Sequence, residues 1–247
     1  MTDFTTDDFL GGKVRLKQKI NGYRATGDAV LLACAVDATP KQTVLDVGTG
    51  TGAVALCIAA RCPRTQVAGI ELQPEMVAMA EENIRLNGMQ NRVTILCQDV
   101  RTFPSSLPTG SFDWVVTNPP FILEDQVSPY ALKDVAHREN DCSLKEWISS
   151  CLRYVGSKGR FVMINRADRL PEILSLLYGK LGDIRIVPVW TKEGRAAKRV
   201  LICGKKDSRS PCVLDPGIVL TRSDGTRSLK AEAVMREGES LFDKKGD

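Results

Sequence analysis

The sequence has no long apolar run, no closely spaced cysteine pair and almost no histidine. No stretch approaches the roughly eighteen consecutive apolar residues of a membrane-spanning helix, so we expect no membrane partner. The eight cysteines include no Cys-x-x-Cys pair, and His137 is the only histidine. Because metal sites need such ligands at close spacing, we predict no metal. Several cysteines, such as Cys203, lie inside apolar runs, and we expect these to act as small buried hydrophobes in a reducing compartment.

The N-terminus is acidic and lacks the basic and then apolar segments of a secretory signal peptide, so we expect a cytoplasmic protein.

At 247 residues the chain is long enough for one α/β domain and short for two. We predict a single domain over 1–247. Its parts are an N-terminal extension with a basic segment and a helix (1–42), a core (43–205), and a C-terminal strand and helix (206–247).

Charge is unevenly distributed along the chain. The net charge is +4, and it divides into −4 over residues 1–152 and +8 over residues 153–247. A basic C-terminal part suits a polyanionic partner such as a nucleic acid. A mixed, solvated surface is the alternative, and charge alone does not choose between them.

Apolar runs alternate with helical patterns from about residue 43 onward. Strands are predicted at 43–47, 66–71, 93–96, 112–117, 159–165, 184–189 and 199–203, and helices at 28–36, 53–61, 74 to a cap at 88, 144–154, 169–178 and 229–236. Apolar strands that alternate with helices predict a parallel sheet covered on both faces. The loop 191–198 is too short for a crossover helix, so the last two strands should pair antiparallel.

A glycine-rich turn follows the first predicted strand of the core. Gly48, Gly50 and Gly52 allow close approach of a ligand to the backbone, and a helix N-terminus follows them. Asp46, at the end of the strand, is placed to accept a hydrogen bond from an ammonium group. The spacing G-x-G-x-G differs from the G-x-G-x-x-G of dinucleotide sites and disfavours a dehydrogenase.

Two further acids follow the next two strands. Glu71 is placed to bind ribose hydroxyls, and Asp99 to accept from the exocyclic amine of adenine. Three acids after three successive strands match one adenosine-bearing ligand. We place Leu72 and Val100, which adjoin these acids, in the same predicted site.

The fourth strand runs into Asn118-Pro119-Pro120-Phe121. The prolines end the ladder and leave the Pro119 carbonyl without a local partner. Asn118 supplies a neutral oxygen and Phe121 a flat apolar face. These groups suit a planar amino group, because the Asn118 oxygen and the Pro119 carbonyl can each accept a hydrogen bond from one of its two hydrogens. A proline turn with a buried Phe is the alternative.

The glycine turn, the acids and the Asn-Pro-Pro-Phe turn together resemble the class I S-adenosylmethionine-dependent methyltransferases over about residues 40–205. The resemblance implies an α/β, Rossmann-like fold. Its seven-stranded, mostly parallel sheet has helices on both faces and ends in a C-terminal antiparallel hairpin. It also implies S-adenosyl-L-methionine as the cofactor. The four-residue motif is similar to that of enzymes that methylate adenine N6, guanine N2 or a protein glutamine amide.

Residues 17–33 and the tail from 219 to 233 resemble the bacterial tRNA1(Val) adenine N6-methyltransferases, which methylate an adenine beside the anticodon. The chain departs from many relatives at Phe121, where they carry Tyr; stacking is kept but a hydroxyl hydrogen bond is lost. Thr26 and Asp28 either close over the cofactor or cap a helix.

A tRNA substrate requires cations for its phosphates. Two clusters are predicted to flank the mouth that contains Asn118: Lys17, Lys19 and Arg24 near the N-terminus, and Lys192, Arg195, Lys198 and Arg199 in the last hairpin. His137 is either a general base or a loop anchor, and Arg138 is a candidate phosphate ligand. Alternatives are a guanine N2 rRNA methyltransferase, a protein glutamine methyltransferase and a non-catalytic RNA-binding protein.

Overall fold

The computed structural model describes residues 3–22, 24–120 and 142–242. The predictions for Phe121, His137 and Arg138 lie outside these residues. The strands are β1 (Phe4–Phe9), β2 (Val14–Lys19), β3 (Thr43–Val47), β4 (Gln66–Glu71), β5 (Val93–Cys97), β6 (Phe112–Thr117), β7 (Val155–Arg166), β8 (Leu181–Lys192), β9 (Arg199–Lys206), β10 (Val213–Leu214) and β11 (Ile218–Thr221).

The α-helices are α1 (Gly27–Cys34), α2 (Ala53–Arg61), α3 (Pro74–Leu86), α4 (Leu144–Tyr154), α5 (Leu170–Leu177) and α6 (Leu229–Glu232). Short 3-10 turns cover Leu10–Gly12 and Ala167–Arg169, and a π-helical turn, Ala233–Glu237, continues α6. Local signals explain the ends of several helices. Ser143 and Glu146 form a capping box at the start of α4, and Pro74 occupies the first turn of α3.

The main sheet has the order β10-β8-β9-β7-β6-β3-β4-β5, and β11 also pairs with β8. Strands β3 to β7 are parallel to their neighbours within that group, whereas β9 is antiparallel to both β7 and β8. It follows that β8 is parallel to β7. The predicted mostly parallel α/β sheet with a C-terminal antiparallel hairpin is confirmed, and β10 and β11 extend it to nine strands.

The parallel strands end together at one edge of the sheet, called the carboxyl edge below. Strands β10 and β11 are parallel to β8, so they also end there. Two apolar layers cover the faces of the sheet: α1, α2 and α3 supply one, with Leu31, Leu56 and Ile84, and α4 and α5 supply the other, with Ile148 and Ile173. The sheet is therefore closed on both faces and open to a ligand at its edge.

The N-terminal hairpin of β1 and β2 is a feature that the sequence did not predict as a pair. Strand β2 alternates buried Val14 and Leu16 with solvent-facing cations, but β1 reads Phe-Thr-Thr-Asp-Asp-Phe and has no apolar period. The register places Asp8 opposite Arg15, so charge complementarity contributes to the pairing.

A buried asparagine attaches this hairpin to the core. Asn83 of α3 has no exposed surface; its Oδ1 accepts from the Lys17 amide at 2.7 Å, and its Nδ2 donates to the carbonyls of Lys17 (3.1 Å) and Thr51 (3.0 Å). One side chain thus links the hairpin to the start of α2. Because β11 also lies in the main sheet, both ends of the chain pack on the same core, and we propose on this ground that the chain is one domain.

Asn83→Ala should lower the free energy of unfolding by roughly 3 kcal/mol, because it leaves buried backbone groups of the hairpin and of Thr51 without partners. Urea unfolding measures this effect. Gln90→Ala, at an exposed position just beyond the same helix, is the matched control and should change stability by less than about 0.5 kcal/mol. Equal effects of the two substitutions would contradict the anchoring role of Asn83.

Candidate active site at the carboxyl edge

The glycine turn and the Asn-Pro-Pro turn leave adjacent strands. Strands β3 and β6 pair in parallel, and their last residues, Val47 and Thr117, are register partners. Strand β4 lies on the other side of β3, with Ile70 opposite Val47. The turns after β3, β4 and β6 therefore open at neighbouring points of one edge, as a site shared between them requires.

Asp46 lies at this edge but is almost completely buried, with 1% of its surface exposed. The Thr49 hydroxyl donates to its Oδ2 at 2.6 Å. Burial raises the pKa of the Asp46 carboxyl from 3.8 to about 7, and hydrogen bonds from Thr49 and the Ala55 amide oppose part of that rise. An ammonium group that reached Asp46 would reverse the shift by stabilising the anion.

The glycine turn adopts a left-handed backbone at Gly48 (φ +73°), Gly50 (φ +55°) and Gly52 (φ +84°). The amides of Gly48 and Thr49 both donate to the Ile70 carbonyl, at 2.9 and 3.0 Å, and so hold the turn against β4. A Cβ at Gly48 would lie 2.9 Å from the Trp147 ring. Glycine is needed here for the backbone angle and for the close approach of α4.

Glu71 closes β4 and contacts the same turn. Its Oε2 accepts from the Gly50 amide at 3.0 Å, and its Oε1 accepts from the Gln73 amide at 3.0 Å. The next side chain, Leu72, is 59% exposed although it is apolar. A carboxylate beside an uncovered apolar side chain fits the ribose and the flat base of a nucleoside.

Asp99 and Val100 follow β5. The Asp99 carboxylate accepts from the Arg101 guanidinium at 2.6 Å, and that hydrogen bond lowers the pKa of Asp99. The Val100 side chain is buried in the apolar layer under α4. Asp99 is thus at the predicted place, but its oxygens already have a cation as partner, and Val100 presents its backbone rather than its side chain.

Asn118 carries a buried polar atom at this edge to which no described residue donates a hydrogen bond. Its Oδ1 is buried and has no hydrogen-bond partner among the described residues; within them the same is true only of the Thr51 hydroxyl, in the glycine turn. Pro119 is buried and Pro120 is exposed. A buried acceptor without a partner costs about 1–3 kcal/mol, so a ligand that donates to Asn118 would remove that cost.

Trp147 of α4 connects the two turns, and the sequence interpretation missed it. Its indole Nε1 donates to the Thr117 hydroxyl at 2.9 Å, and that hydroxyl donates to the Val47 carbonyl at 2.9 Å. The hydrogen-bond chain joins the ends of β3 and β6. In the sequence, Trp147 resembles an ordinary apolar helix position, and only the tertiary contact distinguishes it.

A small cavity lies beside the Asn-Pro-Pro turn. Its lining residues are Pro119, Pro120, Cys142, Leu144, Trp147, Asn165 and Arg169. Asn165 lies near the end of β7 and Arg169 follows that strand, which is the neighbour of β6 on the side away from β3. Trp147, whose ring lies against Gly48 of the glycine turn, forms one wall of the cavity.

The predicted roles of Thr26 and Asp28 were left open, and the structure shows a capping arrangement. The Thr26 hydroxyl accepts from the Asp28 amide at 3.4 Å at the start of α1. Asp28 accepts from Arg199 Nε at 3.0 Å. Arg199, predicted to bind RNA, is therefore engaged by a carboxylate of the same chain.

The two predicted cation clusters differ in the structure. Lys17 is paired with Glu82 at 2.7 Å and Arg24 with Asp7, so most charge of the N-terminal cluster is neutralised. Among the described residues, the hairpin loop cations have exposed side chains with no carboxylate partner; they are Lys192, Arg195 and Lys198. The loop after β8 thus carries the stronger positive charge.

The described residues contain no cluster of metal ligands and no helix that could span a membrane. No three potential ligands among His, Cys, Asp and Glu lie close enough to hold a metal ion within that part of the chain. No helix there has the length and apolar character needed to cross a bilayer.

Comparison with known proteins agrees with this geometry. The family model described as the methyltransferase small domain matches residues 25–180, which include the turns after β3, β4, β5 and β6. The chain belongs to this methyltransferase family.

Curated relatives point to a narrower group. A protein from Porphyromonas gingivalis is 29% identical over 203 residues, 79% of this chain and 80% of the relative. One from Glaesserella parasuis is 31% identical over 177 residues, 71% of this chain and 73% of the relative. Both are named tRNA1(Val) (adenine(37)-N6)-methyltransferase, and the family resemblance recognised in the sequence is confirmed.

Solved structures support the fold. A crystal structure described as a predicted O-methyltransferase from Agrobacterium tumefaciens has a TM-score of 0.72 at 22% identity and covers 88% of this chain and 99% of its own. A tRNA (m1A58) methyltransferase from Aquifex aeolicus has a TM-score of 0.56 at 14% identity and covers 77% of this chain and 72% of its own. These likenesses confirm the methyltransferase architecture.

Asp46→Asn should make the stability of the methyltransferase less dependent on pH. The folded state holds the Asp46 proton more tightly than the unfolded chain, so wild-type stability falls as pH rises from 3.8 to about 7 and then levels off. The loss is at most about 1.4 kcal/mol per pH unit. Asn keeps an oxygen that accepts from Thr49 but cannot ionise.

Urea unfolding of both proteins between about pH 5 and about pH 8 measures the difference. The stability of the variant relative to the wild type should increase as the pH rises to about 7, and the difference should stay constant above that pH. A difference that stays constant over the whole range would contradict the raised pKa of Asp46.

Proposed function

We propose that this methyltransferase transfers the methyl group of S-adenosylmethionine to N6 of an adenine in tRNA, beside the anticodon of a valine tRNA. The names of the relatives support the reaction. The observation that carries the proposal is the buried, partnerless Oδ1 of Asn118 one strand away from the glycine turn. A cytoplasmic location follows from a tRNA substrate.

The cofactor fits the turns after β3, β4 and β5. Asp46 holds its ammonium, the backbone at Gly48, Gly50 and Gly52 gives its amino-acid part close approach, and Glu71 accepts from the ribose. Leu72 covers one side of the adenine, and Asp99 and the backbone at Val100 lie at its edge. Thr26 and Asp28, at the start of α1, are further proposed cofactor residues, and Asp28 also accepts a hydrogen bond from Arg199. When bound, the cofactor supplies an electrophilic methyl group.

The Glu71 carboxylate explains how this site stays ordered before binding. It accepts two backbone amides, from Gly50 and Gln73. The Glu71 carboxylate is therefore already held in position when the ribose hydroxyls bind to it, so binding loses little conformational entropy at this side chain. The exposed Leu72 side chain beside it gains burial when a base covers it.

The acceptor amine fits between Asn118 and the Pro119 carbonyl. Two acceptors on its two hydrogens fix the nitrogen and turn its lone pair toward the methyl group, so positioning supplies most of the rate. Phe121 stacks the base in this proposal. No strong general base is required, because the nitrogen becomes acidic once it is methylated and loses its proton to water.

The same four-residue turn also suits guanine N2 or a glutamine amide. The names of the relatives favour adenine N6, and the unpaired cations of the loop after β8 favour a nucleic acid over a protein. A protein that kept the fold and only binds RNA would not need a buried acceptor without a partner at Asn118.

Asn118→Ala should abolish methyl transfer while cofactor affinity stays within about threefold, because Asn118 contacts the acceptor and not the cofactor. The assay uses labelled S-adenosylmethionine and tRNA that lacks the modification, and nucleoside mass analysis identifies the product. Asn91→Ala, at an exposed position, is the control and should retain activity. Near-normal turnover by Asn118→Ala, or a product other than N6-methyladenosine, would reject the assignment.

Replacing Lys192, Arg195 and Lys198 together by Gln should weaken tRNA binding and reduce its dependence on salt by about two to three units of slope, since each released phosphate contact contributes about 0.7–0.9. A matched triple variant replaces Lys41, Arg64 and Lys180, which are exposed and precede β3, β4 and β8 at the opposite edge. Equal binding by the two triple variants would remove the loop from the tRNA site.

A further inference from the structure

The strand order sorts charge along the carboxyl edge. On one side of β6 lie β3, β4 and β5, which lead to Asp46, Glu71 and Asp99. On the other side lie β7, β9, β8 and β11, and the segments beside them at this edge carry mainly cations. Arg166, Arg169, Arg199 and Arg227 are paired with carboxylates, whereas Lys192, Arg195, Lys198 and Arg222 form no ion pair among the described residues. Asn118, at the end of β6, stands at the boundary. The acidic half suits the cationic cofactor, and the basic half suits an anion.

The outermost member of the basic half is the turn from Arg222 to Arg227, which follows β11. Strand β11 pairs in parallel with β8, and Thr221 is the register partner of Lys192. The turn therefore leaves the edge beside the start of the loop after β8. This turn belongs to the predicted C-terminal strand and helix, and none of its residues was among the individual RNA-binding residues predicted from the sequence.

Hydrogen bonds join this turn to the loop after β8. The Glu193 amide donates to the Thr221 carbonyl at 2.9 Å, and Glu193 Oε2 accepts from the Ser223 amide at 2.9 Å. The turn is closed by the Arg222 amide, which donates to the Thr226 carbonyl at 2.7 Å, and Asp224 accepts from Thr226. Two loops distant in sequence thus form one ordered surface.

The side chains on this surface favour a polyanion. Lys192, Arg195, Lys198 and Arg222 are exposed, and none of them forms an ion pair among the described residues. Asp224, whose pKa is lowered mainly by hydrogen bonds from Thr226, also attracts Arg222. The carboxylate of Glu193 is held by a backbone amide, and Arg227 is paired with Glu232 at 3.6 Å. Of the described residues, the four cations that form no ion pair outnumber the carboxylates of Glu193 and Asp224, so the surface where the two loops meet is positive on balance.

We infer that the turn 222–227 and the loop 193–198 form one surface that binds the phosphodiester backbone of tRNA away from the methylated base. Four strand spacings separate β6 from β11, so Arg222 lies on the order of 20 Å from Asn118. At that distance, Arg222 would contact phosphates several nucleotides away from the methylated base. The inference rests on the proposed function for the identity of the RNA.

Arg222→Gln tests the inference in tRNA titrations at several salt concentrations. Loss of one phosphate contact should lower affinity up to about eightfold near 0.1 M salt and reduce the slope of log K against log salt by about 0.7–0.9. Arg64→Gln, which removes one exposed charge before β4 at the opposite edge, should change neither. Circular dichroism melting of each variant checks that all are folded.

Glu193→Gln supplies a second test with the opposite sign. The amide oxygen of Gln still accepts from the Ser223 amide, while a negative charge is removed beside the phosphates, so tRNA binding should tighten by a few fold. Two results would contradict the proposed surface. One is that Arg222→Gln binds tRNA with the same affinity and salt slope as Arg64→Gln. The other is that Glu193→Gln binds tRNA more weakly than the wild type.

Product analysis separates this inference from the proposed function. If the wild-type protein forms N6-methyladenosine in tRNA but Arg222→Gln binds tRNA normally, the proposed surface is rejected and the proposed reaction stands. A wild-type protein that forms no methylated adenosine, but binds tRNA with the Arg222-dependent slope, overturns the proposed reaction and supports the surface.

Discussion

The parallel pairing of β3 with β6 is the constraint on which the rest of the site depends. Because Val47 and Thr117 are register partners, the two turns that follow begin side by side. Trp147 then bridges the ends of both strands through the Thr117 hydroxyl, and its ring lies against Gly48. A slip of one residue in this pairing would turn the side chains at the end of β6 to the other face.

The same pairing explains why the chemistry of the site changes from one side of β6 to the other. The strands beyond β3 end in carboxylates, which suit an ammonium and ribose hydroxyls. The strands beyond β7 end mainly in cations, which suit phosphates. Asn118 is neutral and lies between them, so it accepts hydrogen bonds from an amine without holding it as a cation. The structure therefore brings a mainly acidic half and a mainly basic half to one edge, with some charges on each half paired locally, as Arg101 is with Asp99 and Arg199 with Asp28.

Local sequence signals predicted the parts of the molecule that depend on local chemistry. The glycine turn, the acids after β4 and β5, and the end of β6 at Thr117 are where they were expected, because backbone conformation and apolar runs determine them. The alternation of strands and helices was enough to predict the parallel sheet. The last hairpin was predicted because its loop is too short for a crossover.

Features that depend on contacts between distant residues were missed. The polar strand β1 pairs only because β2 lies beside it, and Trp147 becomes part of the site only through Thr117. The charges of Lys17, Arg24 and Arg199 counted as free cations in the sequence, whereas carboxylates far along the chain or across a hairpin engage them. Strand β11, which places Arg222, has only four residues and no pattern that identifies its partner.

The most direct test of the central claim is a crystal structure of the protein with S-adenosylhomocysteine and an RNA stem-loop that contains the target adenine. The account predicts that the sulfur and the adenine N6 lie on opposite sides of a short gap between the two turns, with N6 about 3 Å from Asn118 Oδ1. An adenine bound elsewhere, with Asn118 in contact with neither ligand, would contradict it.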